Sequence, residues 1–156
     1  MGNKLLDQWY DALLLEAPYI FDSYLIYLEK NRERDKRFYL PKRKVLQYHG
    51  IIQSLQDLED DKLDILTISM PPGTGKTTTE MFFATWIAGK YPNDFSLFYS
   101  HSSNICEMAY RNVLDIITSE EYCWSEIFPH VQVESTNAKN ACLNLGDYSQ
   151  HATFQT

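Results

Sequence analysis

Three cysteines in 156 residues, with no C-x-x-C pair among them, are too few and too scattered for a disulfide framework or a thiolate zinc site. Cys106, Cys123 and Cys142 read instead as buried or half-buried free thiols of a reducing compartment. The histidines at 49, 101, 130 and 151 are equally dispersed and offer no metal-ligand spacing. No apolar run approaches a membrane span, and the N-terminus Met-Gly-Asn-Lys-Leu-Leu-Asp lacks the apolar core of a signal peptide. A myristoylation signal would need Ser or Thr at position 6, where the chain has Leu6. Repeats and low-complexity segments are missing too. These absences point to a globular protein of the cytoplasm with no membrane partner. Hydrophobic residues at 44% and aromatics at 14% supply the core of one domain.

Net charge is −7, but its distribution is uneven. Lys30, Arg32, Arg34, Lys36, Arg37, Lys42, Arg43 and Lys44 are opposed within their segment only by Glu33 and Asp35, giving a local +6. Such an arm is either an electrostatic footprint for phosphates, of nucleotide or DNA, or a solvated connector between helices.

Hydrophobic spacing predicts a helix over residues 3–17 (Leu5, Leu6, Trp9, Tyr10, Leu13, Leu14), a break at Pro18, and a second helix over 19–30. Together they form an N-terminal helical hairpin. Phe38-Tyr-Leu-Pro41 leads into a third helix with Val45, Leu46, Ile51, Ile52, Leu55 and Leu58 on one face and Pro41 in its first turn. Glu59-Asp60-Asp61 reads as a solvated helix end. Leu63–Ser69 is a strand, 77–91 a helix apolar on more than one side and expected against a sheet, Phe95–Tyr99 a second strand, and 104–118 a helix with Ser102 or Ser103 as its cap. Residues 131–134, 141–145 and 152–154 are shorter strand candidates. The order strand, loop, helix, strand, helix implies an α/β layer with parallel strands.

Between the first strand and its helix lies Met70-Pro-Pro-Gly-Thr-Gly-Lys-Thr77. This is the phosphate-binding signature G-x-x-x-x-G-K-[ST] with Met70 in place of the first glycine. A strand–loop–helix setting is what the signature needs, because the phosphates must meet a helix N-terminus. What the chain lacks is the rest of a phosphate-transfer site. Downstream of Lys76 no carboxylate ends an apolar strand: Asp94 precedes its strand, Asp115 lies in a helix pattern, and Glu120 and Glu121 lie beyond a helix end.

Taken in order, Ser69–Thr77, Trp86-Ile-Ala-Gly-Lys-Tyr-Pro92, Phe95-Ser-Leu-Phe-Tyr-Ser-His-Ser102, Glu126-Ile-Phe-Pro129 and, upstream, Phe38-Tyr-Leu-Pro-Lys-Arg43 resemble the large terminase subunit of tailed bacteriophages. That protein is the ATP-driven motor that packages DNA. The resemblance covers most of the chain. It implies a P-loop NTPase-type parallel sheet flanked by helices, with residues 1–37 as hairpin and basic connector and 38–156 as the N-terminal part of the ATPase domain. It implies ATP and Mg²⁺ as ligands. Lys76 would contact the β/γ phosphates, Thr77 would ligate Mg²⁺, and Pro72, Gly73, Thr74 and Gly75 would form the cradle. Thr78 would touch the α-phosphate, and Tyr39 and Gln47 would lie near the adenine.

Many such proteins place a basic residue where this chain has Gly73, so Arg111 and Arg43 become candidates for the missing arginine. The full-length form implied by the resemblance works in the cytoplasm of the infected bacterium as a homo-oligomeric ring on double-stranded DNA, with a small subunit and a portal as partners. It continues into the acidic, magnesium-binding strand and a nuclease domain, which this sequence stops short of. The expectation is an empty slot between residues 65–69 and 95–99, and a fragment that rearranges, self-associates or is marginally stable. Two other readings stand beside the motor: a truncated remnant that binds nucleotide or a partner without turnover, and a helicase-like P-loop ATPase. A small P-loop kinase, the companion of the helicase-like reading, is disfavoured because its lid would carry arginines and none follows Arg111.

Overall fold

Pro18 and Gly50 divide the helical first third of the chain. The computed structural model describes residues 2–138, 140–146 and 152–156. Helices α1 (Gly2–Glu16) and α2 (Phe21–Leu28) form the expected hairpin, turning through Ala17–Ile20. The third helix of the sequence reading is two, α3 (Tyr39–Tyr48) and α4 (Ile51–Glu59), because Gly50 adopts φ +69 between them. Helix α5 (Lys76–Lys90) follows the loop, then strand β1 (Ser96–Leu97), helix α6 (Ser103–Thr118) and the short α7 (Trp124–Ile127). Ser102 stands at the N-cap of α6, yet no side-chain cap hydrogen bond forms there. Strands β2 (Ser135–Asn137), β3 (Cys142–Asn144) and β4 (Phe154–Gln155) complete the described elements.

The protein is α/β, with a mixed rather than parallel sheet. Strand order is β1-β4-β3-β2; only the β1–β4 pair is parallel, with Ser96 opposite Phe154, and the other two pairs are antiparallel. The strand expected at 131–134 forms directly after those residues, at β2, although the Glu134 N–H still donates to the Asn144 carbonyl at 2.9 Å. Residues 63–70 are extended but join no ladder. Their side chains alternate as a strand's would: Leu66, Ile68 and Met70 pack on the core while Ile65, Thr67 and Ser69 face outward. The segment alternates as a strand does, and it packs on the core without a ladder partner among the described residues.

In the sequence, α2 reads as one arm of a leading hairpin; in the fold it is the centre. Seven of its eight residues are buried, because α1, α3, α4, α5 and α7 all touch it. The Tyr24 hydroxyl bonds that of Thr85 at 2.8 Å, and Trp86 donates its ring N–H to the Ala17 carbonyl at 2.9 Å. Phe21 and Trp86 rings lie 5.1 Å apart. Helix α5 therefore packs mainly on α2 and α6, where the sequence suggested a sheet. Its approach to Phe128 depends on Gly89, where a β-carbon would stand 2.4 Å from that ring. No helix among the described residues is long and apolar enough to cross a membrane.

The acidic run at the end of α4 is also partly internal. Glu59 is shielded from water and ion-paired to Lys90, which lies over the Trp86 ring, while Tyr91 donates to the same carboxylate at 2.7 Å. Asp60 and Asp61 are the solvated members, and Asp60 pairs with Lys62 at 2.8 Å.

Candidate phosphate-binding site

Two glycines shape the loop. Gly73 has φ +78 and Gly75 φ +98, both in the left-handed region that side chains disfavour. Open space surrounds Gly73, so its requirement is conformational. Gly75 is hemmed in as well: a β-carbon there would stand 2.3 Å from the Phe38 ring and 3.1 Å from Lys42 Nζ. Thr74 Oγ1 donates to the Pro71 carbonyl at 2.7 Å and tightens the turn. Gly75 is the N-cap of α5, and its carbonyl accepts both the N–H (3.0 Å) and the hydroxyl (3.1 Å) of Thr79. The first-turn N–H groups of Lys76, Thr77 and Thr78 thus point out of a fifteen-residue helix with no intrahelical acceptor, at the positive end of its dipole. No acidic residue lies in that turn to compete for them.

Over the loop is a concavity of about 530 Å³ walled by Phe38, Lys42, Pro72, Gly73, Lys76 and Thr77. Next to it, between α3, α4 and the extended segment, lies a cleft of about 570 Å³ walled by Lys42, Val45, His49, Ile68, Pro71 and Thr74. Lys42 belongs to both walls. Its ammonium sits 4.5 Å from the Phe38 ring centroid and donates to the Thr74 carbonyl at 3.3 Å. Neither Lys42 nor Lys76 is in an ion pair among the described residues.

What holds Phe38 over the loop is a buried carboxylate that sequence reasoning missed. Glu29 is 1% exposed and accepts the backbone N–H groups of Phe38 at 2.8 Å and Tyr39 at 2.7 Å, the first free donors of α3. Arg32 balances its charge at 3.4 Å. Nothing in the local sequence marks Glu29, because it lies ten residues before the helix that it caps.

The other residues expected here are placed elsewhere. Tyr39 is fully buried and its hydroxyl is bound to Asp22, so its ring is not offered to a base. Gln47 gives its amide to the same carboxylate at 3.0 Å. Arg43 grips Asp22 with two nitrogens, at 3.0 and 2.6 Å, and is not in the wall of the loop. Burial alone would lift the Asp22 carboxyl; the hydrogen bonds from Arg43, Tyr39 and Gln47 outweigh it and hold the group below its usual range. Arg111 is exposed on α6 and paired with Glu107 one turn before it. The structure brings neither arginine to the loop.

Glu80, one turn after Lys76, had no role in the sequence reading. It lines a separate cavity of about 410 Å³ with Lys76, Leu55, Leu66 and Phe83. Partial desolvation there raises its pKa, against the pull of Lys76.

Half of the basic arm is ion-paired from within. Lys30 pairs with Glu126, Arg32 with Glu29 and Glu121, Lys36 with Glu33, and Arg43 with Asp22. Arg37 donates to the carbonyls of Lys30 and Arg32. Among the described residues, Arg34 and Lys44 alone of the eight make no such bond.

The residues present fit a phosphate chain: left-handed glycines, open helix N–H groups and two lysines with no ion pair among the described residues. For Mg²⁺ they supply one ligand, the exposed Thr77 hydroxyl, so nucleotide oxygens and water would complete the shell. No cluster of three His, Cys, Asp or Glu side chains suited to a metal occurs among the described residues. Comparison with protein-family models, with curated proteins and with solved structures gave no match to this chain.

Proposed function

We propose that residues 70–78 bind the phosphates of ATP with Mg²⁺, and that the chain is the ATP-binding part of a terminase-type DNA-packaging motor. One observation carries the first half: two left-handed glycines deliver the backbone into the open end of a fifteen-residue helix that begins with Lys76. Gly73, Thr74 and Gly75 offer backbone donors, and Lys76 adds a charge-assisted bond to the β/γ oxygens. Thr77 holds the metal, and Thr78 meets the α-phosphate. Mg²⁺, when bound, offsets the charge on the phosphoryl oxygens. The base takes the neighbouring cleft between α3 and residues 66–71, against Val45 and His49.

The second half rests on the order of sequence motifs. Double-stranded DNA, a small subunit, a portal, a ring of identical subunits and the cytoplasm of an infected bacterium all belong to that motor and are proposed with it.

A second reading, binding without turnover, is favoured by the placement of Glu80. It is the carboxylate one turn from Lys76, and it faces the separate 410 Å³ cavity instead of the loop's own concavity. Equilibrium binding of MgATP and phosphate release, measured on the same preparation, decide between the two. Lys76→Ala should weaken binding at least tenfold, about the value of one charge-assisted hydrogen bond. Binding with hydrolysis supports the motor, and binding with none supports the second reading. A chain that binds no nucleotide overturns both.

A further inference from the structure

We infer that Lys42, carried by α3 outside the loop, is a second cation for the phosphate chain of the bound nucleotide. The inference rests on the nucleotide reading above and adds a contact that the loop signature does not contain.

Four observations converge on it. Lys42 is the one member of the basic arm that lines the loop's concavity. Four of its neighbours are in ion pairs with carboxylates, and Arg37 is bound to backbone carbonyls, whereas Lys42 has, among the described residues, a single hydrogen-bond acceptor, the Thr74 carbonyl at 3.3 Å. An ammonium group has three donors, so two remain unused beside a site built for anions. Its position is also fixed in advance. The ammonium lies on the Phe38 ring, and Phe38 is held by the buried Glu29 through its backbone N–H. Finally, Nζ would stand 3.1 Å from a β-carbon on Gly75, which puts it against the backbone that wraps the phosphates.

The charge argument points the same way. A nucleoside triphosphate with one Mg²⁺ still carries about two negative charges, and Lys76 alone leaves one of them uncompensated in a half-enclosed site. In the absence of nucleotide, Lys42 rests on the Thr74 carbonyl. With nucleotide bound, it exchanges or shares that carbonyl for a phosphate oxygen, a stronger, charge-assisted acceptor.

The test is the affinity of the 156-residue chain for MgATP and MgADP in four forms: wild type, Lys42→Met, Lys42→Arg and Lys76→Ala. Thermal unfolding without nucleotide is the control. Lys42→Met should weaken MgATP binding about tenfold and make it less sensitive to salt, with the unfolding midpoint almost unchanged. Lys42→Arg, which keeps the charge, should stay within about threefold of wild type. If Lys76→Ala loses binding while Lys42→Met binds as wild type does, the Lys42 inference fails and the nucleotide reading stands. If Lys42→Met and Lys42→Arg weaken binding equally and both lower the unfolding midpoint, Lys42 is a structural brace and the inference fails. If the wild-type chain binds neither nucleotide, the underlying reading has failed first.

Discussion

The Phe38 ring rests so closely on Gly75 that a β-carbon at residue 75 would stand 2.3 Å from it. Gly75→Ala therefore meets two penalties, a left-handed backbone and a steric clash, whereas Gly73→Ala meets only the first. Gly73→Ala should cost about 1 kcal/mol and weaken nucleotide binding modestly. Gly75→Ala must push the ring off the loop, so it should cost about 2–3 kcal/mol and abolish binding. Urea unfolding and nucleotide titration of both variants check the order; equal effects would contradict the geometry.

Asp22 gives the fold a pH dependence with a definite sign. Its carboxyl sits below the ordinary value of 3.8 in the folded protein, so the unfolded chain takes up the proton first. The stabilisation is complete above that ordinary value and is lost as pH falls through the lower, folded one. Asp22→Asn should destabilise the protein by about 1–2 kcal/mol at pH 7, where Arg43, Tyr39 and Gln47 lose a charged acceptor. The gap between wild type and variant should close as the pH drops below 3.8. A gap that widens toward acid pH would refute this account.

Trp86 joins the hairpin to the helix that follows the loop. It is fully buried, and its ring N–H is bound to Ala17. Trp86→Phe should cost about 1–3 kcal/mol, largely by leaving the Ala17 carbonyl unpaired, and Trp86→Ala about 3–5 kcal/mol. Because these residues share one core, denaturation should show a single transition, followed identically by fluorescence and circular dichroism.

For the basic arm, the pairing pattern limits what DNA can gain. Among the described residues Arg34, Arg37, Lys42 and Lys44 are the members with no carboxylate partner, so binding through this surface should show a log K against log salt slope of about −4. A slope near −7 would require the arm to release its internal partners.

The helices were legible because their apolar spacing is a local property. So was the loop, whose glycines and lysine stand at fixed offsets. Gly50 was readable in principle, but apolar residues continue in phase across it and disguise the break. The sheet was not legible. The pairing of Ser96 with Phe154 joins residues 58 apart, and no periodicity reports such a partner. The 63–70 segment shows the converse, with a strand's alternation and no ladder partner among the described residues. At the site, Lys42 lay in plain view among eight similar charges. It was distinguished only once its neighbours were seen to be paired, which is a tertiary fact. Tyr39 and Gln47 were drawn elsewhere by Asp22, a residue whose importance comes from three partners scattered over 39–47.

Glu29 carries a practical lesson for anyone who would trim this protein. Residue 37 looks like a natural place to cut, after the charged connector and before the helix that leads to the loop. A chain begun at Phe38 would lose the carboxylate that receives its first two amide protons. It would also lose Phe21 and Tyr24, against which Trp86 is set. The hairpin is the foundation on which the loop stands, and removing it should take the phosphate site down as well.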